Sequence, residues 1–155
     1  MKPTAAPANL RRVDARRATP KAPFALHDVS EFPVVRFDTS RAAPGYAATW
    51  VSEMEALLTL GLPFVLVATG SVKDSAADRE ACSLFLQSRH TDLARRCRAI
   101  VGVEPNAAAR AARSARAAVL AKAFRIEMVI VATEEAAITV ARARLSEPEG
   151  MIGCS

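Results

Sequence analysis

Aromatic side chains are scarce in this chain: phenylalanine, tyrosine and tryptophan together make up 5% of its 155 residues. That scarcity argues against base-stacking platforms and aromatic ligand cages. It leaves the apolar content, 51% of the chain, largely to alanine, valine and leucine, which suit close helix packing. Only two histidines are present, His27 and His90, so a Ser-His-acid site has little choice of base, and no G-x-S-x-G elbow occurs. His27 falls in a β-prone stretch, and His90 shares a helical stripe with Leu86 and Leu93 close to Asp92. Both read as structural. Glu53 and Glu55 are two apart and point to different sides of a helix, as solvated acids do. No catalytic residue is expected.

Glycine-rich phosphate loops are also missing, since neither G-x-G-x-x-G nor G-x-x-x-x-G-K-[ST] occurs, and the turn "VEPN" sets Glu104 where a phosphate would approach. Nucleotide binding is disfavoured and no cofactor is expected. The three cysteines, Cys82, Cys97 and Cys154, include no C-x-x-C pair, which points to neither a disulfide framework nor a metal site. Cys82 and Cys97 read as small apolar residues on a helical face. Reducing, cytoplasmic surroundings are the expectation. No run approaches the roughly 18 consecutive apolar residues of a membrane helix, so no membrane is expected as a partner.

Charge is unevenly placed. Residues 1 to 23 carry Lys2, Arg11, Arg12, Arg16, Arg17 and Lys21 against Asp14, a balance of 6 minus 1 that equals the whole chain's formal charge of +5. The remainder is neutral, with 15 basic and 15 acidic groups. Nucleic-acid attachment is therefore unlikely except through this arm, where it would be salt-sensitive. The arm lacks the apolar core of a secretory signal, although its Arg-rich, acid-poor character is compatible with a transit peptide. Arginine outnumbers lysine 17 to 4, which with the abundant alanine suggests a GC-rich, bacterial source.

Past the arm, the pattern predicts one domain over residues 24–146, followed by a loose tail, 147–155. A chain of this size buries about 70% of its unfolded surface. "FALHDV" and "FPVVRFDT" read as a short hairpin at a sheet edge, the second alternating Val35 and Phe37 with Arg36 and Asp38. Tyr46, Trp50, Met54, Leu57 and Leu58 predict an amphipathic helix from Pro44 to Leu60, which Gly61 and Pro63 stop. "PFVLVAT", apolar from Phe64 to Ala68, predicts a central strand covered on both faces. Ser75 and Asp78 stand at capping-box spacing before a helix whose apolar face carries Cys82, Leu86, His90, Leu93 and Cys97. "AIVGV", an alanine helix, "IEMVIVAT" and a final helix capped by Thr133 complete the order. Alternating strands and helices give an α/β sandwich: a mainly parallel central sheet, an antiparallel edge hairpin, and helices on both faces.

The strings "GLPFVLVATG", "RAIVGVEP" and "IEMVIVATEEAAITVARARL", in that order, resemble the STAS superfamily of sulfate-transporter and anti-sigma-factor-antagonist domains, above all its sporulation-antagonist-like branch. The likeness runs from Phe24 to Leu145. It implies a non-catalytic regulatory module that docks a protein partner or holds a small ligand. It also implies a phosphorylatable serine at a helix start after a buried strand. Ser75 of Asp74-Ser75 stands in that place, followed by Ala76-Ala77 where the family pattern differs.

Ligands of open α/β sheets bind beyond the carboxyl ends of the strands. That rim is expected to include Asp38, Thr39, Ser40, Glu104 and Glu134, and a small-molecule carrier or enzyme would use Thr69, Ser71 and Thr133 as polar contacts. On the alanine helix, Ala108, Ala112, Ala115 and Val119 share one face, expected to lie on the sheet. Arg113, Arg116, Leu120 and Phe124 share the adjoining flank. The arginines either lay their stems on neighbours or bind an acidic partner or small anion, with Arg110 assisting from the solvent side. A homodimer through a β edge or a helix flank is compatible with the pattern.

Overall fold

The computed structural model describes residues 24–70 and 75–147. The basic arm, Ser71, Asp74 and Cys154 lie outside the described residues. Strand β1 (His27–Asp28) turns back into β2 (Val34–Asp38), and a 3₁₀ turn at Thr39–Arg41 follows. Helix α1 (Ala47–Thr59), strand β3 (Phe64–Thr69), helix α2 (Ala76–Arg96) and strand β4 (Cys97–Val103) come next. Helix α3 (Ala107–Phe124), strand β5 (Met128–Val131) and helix α4 (Glu134–Ser146) complete the order.

The five strands lie side by side in sequence order. β1 is antiparallel to β2, with His27 opposite Phe37, and β2 to β5 are parallel. Three right-handed crossovers that each step one strand in the same direction place α1, α2 and α3 on one face of the sheet. The alternation of side chains along the strands follows this division. Val35, Phe37, Leu66 and Ile100 meet Trp50, Met54, Leu57, Phe85 and Leu93 on the three-helix face. Val34, Val65, Val67, Ala99, Val101 and Val103 meet Ala137 and Ala141 of α4 on the other. Helices thus cover both faces, as the sequence predicts, three on one side and one on the other.

Local signals set the element ends. Gly61 takes a left-handed φ of 68° after α1, and Ser75 and Asp78 close a complete capping box at α2. Thr133 accepts the Ala136 N–H at α4, and Asn106 accepts the Ala109 N–H at 2.8 Å to cap α3. The stripe assigned to α2 needs correction: Phe85 and Leu93 are buried, His90 is exposed, and Cys97 begins β4. The helix bends at Arg89, whose φ of −117° and ψ of 17° are non-helical, so a single 3.6-residue phase does not run through it.

The alanine helix is rotated relative to the sequence expectation. Ala108, Ala112, Ala115 and Val119 face solvent, Val119 with 68% of its surface exposed. Ala117 is buried, and Arg113, Ala121 and Phe124 are half-buried beside it. Large apolar side chains decide such a phase, because burying a phenylalanine contributes about 1.5–3 kcal/mol and an alanine much less. Phe124 packs against the three-helix core. Arg113, three turns earlier, goes in with it.

Candidate functional site at the carboxyl ends of the strands

The ends of β2 and β3 are tied through side chains. Thr39, buried after β2, donates its hydroxyl to the Thr69 carbonyl at 2.5 Å. Gly70 follows with φ +83°, and a Cβ there would stand 2.7 Å from Thr39 Oγ1, so the close approach requires glycine. Asp38 accepts the Ser40 N–H and hydroxyl at 3.0 and 2.6 Å, and these bonds hold its carboxyl below the usual range.

Next to this corner the first turns of α1 and α2 share one carboxylate. Tyr46 gives α1 no side-chain cap. Asp78 of α2 supplies the missing acceptor, taking the Gly45 N–H at 2.8 Å and the Ala47 N–H at 3.2 Å. The Ser75 hydroxyl donates to the same carboxylate at 2.9 Å and accepts the Asp78 N–H at 3.1 Å. Asp78 is 3% exposed. The Gly45 bond, opposed by burial and aided by Ser75 and Ala47, pulls its pKa below the ordinary aspartate value. Ser75 is half-buried at the centre of this latch.

At the end of β4 the arginines turn to their own chain. Arg113 donates to Val103 O at 3.4 Å and to Glu104 Oε1 at 3.3 Å. Its guanidinium occupies the space over Gly102, where a Cβ would meet Arg113 Nη2 at 3.2 Å and Ile130 Cδ1 at 2.8 Å. Arg110 donates to the Glu104 and Pro105 carbonyls at 3.0 and 3.1 Å. Arg116 is exposed on the flank of α3. The structure therefore brings Arg110, Arg113 and Glu104 together and leaves Arg116 apart. Thr69 serves through its carbonyl and exposed Thr133 through its cap, so each has a partner within its own chain.

A second polar cluster lies under β1 and corrects the reading of Glu53 as solvated. Glu53 is buried and accepts the N–H groups of Ala25, Leu26 and His27 at 2.7, 3.2 and 2.9 Å. His27 Nδ1 lies 2.7 Å from Glu53 Oε1, while Nε2 is buried without a hydrogen-bond partner. The imidazole sits beside the rings of Phe37 and Trp50. Burial lowers the His27 pKa against the opposing pull of the carboxylate. Burial alone would raise the Glu53 pKa, but the imidazole and the three backbone donors outweigh it and lower it. Glu55, by contrast, points outward and pairs with Arg89. Burial pushes the Cys97 thiol up to about 12, which removes it from thiolate chemistry at neutral pH.

Among the described residues no group of three or more His, Cys, Asp or Glu could hold a metal ion. No helix among them is long and apolar enough to cross a membrane. No protein-family model, curated protein or solved structure matches the chain.

Proposed function

We propose that the chain is a non-catalytic regulatory module of STAS type that docks a protein partner at the rim where the first turns of α1 and α2 meet. The observation that carries this reading is the position of Ser75, a half-buried hydroxyl bonded to the carboxylate that also holds the start of α1. A phosphoryl group on Ser75 would set two negative charges against Asp78. Repulsion would open the cap and free the Gly45 and Ala47 N–H groups, reshaping the docking end. Support also comes from the initial hairpin, the buried strand β3 and the acidic first turn of the helix after the last strand, a layout similar to that of the sporulation-antagonist-like branch. Within this reading Arg116 is the arginine left to meet a partner's carboxylate, and Arg110 and Arg113 stiffen the rim. A carrier using Thr69, Ser71 and Thr133 draws less support, because Thr69 and Thr133 already have partners in their own chain.

The test is affinity capture from the native organism followed by binding isotherms on the captured protein, with wild type, Ser75→Ala, Ser75→Glu and Arg116→Glu. Ser75→Glu and Arg116→Glu should each weaken binding about tenfold, or 1.4 kcal/mol, with Ser75→Ala close to wild type. Equal affinities across all four proteins would sink the reading.

A further inference from the structure

We propose that two copies of this chain pair antiparallel through the free edge of β5, extending the sheet across a two-fold axis at Ile130. The first support is the backbone. Among the described residues β5 is the last strand in the sheet. The Ile100 and Glu104 N–H groups donate to the Glu127 and Val131 carbonyls at 2.8 Å, with Ile100 opposite Met128 and Gly102 opposite Ile130. The parallel pattern therefore turns residues 127, 129 and 131 towards β4 and aims the N–H and C=O groups of Met128 and Ile130 out of the free edge.

The second is what surrounds that edge. All four β5 residues are apolar and half-exposed, and the strand contains no proline, charge or bulge of the kind that blunts an edge. The opposite edge is only the two-residue β1, with Asp28 exposed. A right-handed crossover from β4 to β5 puts the Ser114 and Ala118 flank of α3 outboard of the strand, where both are exposed and too small to obstruct an approaching chain.

The third is charge, and it selects a second copy in one orientation. Lys122 and Arg125 stand exposed before β5, and Glu135 stands exposed after it, while Glu134 is already paired with Arg36 of β2 at 3.2 Å. Glu127 is already neutralised by Arg144, at 2.5 and 2.8 Å. Arg125 closes the helix before β5 and Glu135 lies in the first turn of the helix after it, so antiparallel pairing brings the basic end of one copy beside the acidic end of the other, and parallel pairing sets like ends together. Ile130 then exchanges both of its outward backbone bonds with its counterpart.

Sedimentation equilibrium on the full chain tests this. The wild type should dimerise with a micromolar Kd. Ile130→Pro, which removes an outward N–H that β4 does not use, should be monomeric with unchanged far-UV circular dichroism. Arg125→Glu and Glu135→Arg should each weaken the dimer about threefold to tenfold, and the double exchange should restore it. These two variants keep the proposal decidable if the proline variant misfolds. A wild type that stays monomeric to about 100 μM overturns the proposal. So does a dimer unaffected by all the substitutions, or a monomer that dimerises only after residues 148–155 are deleted, which would make the tail the strand's cover.

Discussion

At the scale of single residues, Glu53 ties the start of the described chain to α1, because it collects three backbone N–H groups and an imidazole in a buried place. Glu53→Ala would leave those donors without an acceptor. A charged hydrogen bond contributes about 1.5–3 kcal/mol, and chemical denaturation should show a loss at least that large. Glu53→Gln should lose less. Acid should mimic the substitution. His27 has a folded pKa below its ordinary 6.5, so below that value the unfolded chain binds more protons and stability falls. Glu53 has a folded pKa below its ordinary 4.5, so its contribution is present above that value and is lost as pH drops through the folded pKa. Both act in the same direction. The melting temperature should decline from about pH 6.5 downwards, and more shallowly in His27→Phe. The sequence held only a marginal signal for Glu53, since at about 100° per residue it falls roughly 40° beyond Leu57, at the margin of the arc of Trp50, Met54 and Leu57. Asn106 was legible too, as a capping residue between Pro105 and an alanine run. Nothing local marked Asp78 as the acceptor for α1, because Gly45 and Ala47 reach it only after the chain folds back.

At the scale of elements, alternation and run length made the strands and helices readable, and the phase of α3 was not. Its alanine face and its arginine flank compete for the sheet, and the decision rests on Phe124, one residue at the far end. Surface lysines locate the exposed side. Val119→Lys and Ala115→Lys should change stability by within about 0.5 kcal/mol, as exposed substitutions do, whereas Ala117→Lys should cost well over about 2 kcal/mol by forcing a charge against the core. The opposite ranking would restore the face read from the sequence. For α2, the break at Arg89 explains why one apolar stripe failed to describe it. Arg89 pairs with Glu55 of α1 and with Asp92 at that bend, so a contact between helices, not a helix breaker in the sequence, goes with the change of phase.

At the scale of the molecule, the uneven charge separates the arm from the body. Deleting residues 1–23 takes the formal charge from +5 to zero by removing six basic groups and one acid. Any retention on nucleic acid at low salt should vanish with the arm, and the melting temperature should hold, because Glu53 grips the backbone from Ala25 onwards. Binding that survives the deletion in full would show the arm to be irrelevant to it. The sequence leaves the order of strands open, since βα units fit several arrangements, and the observed order has a bearing on how the chain is made. The valine-lined surface beneath the sheet is closed by a single helix, α4, and that helix is the last described element to leave the ribosome. Until it arrives, a nascent chain with every described strand in place still presents a sticky slab to its surroundings. A message cut short before Glu134 should therefore yield aggregates and work for chaperones, not a smaller domain with part of the function.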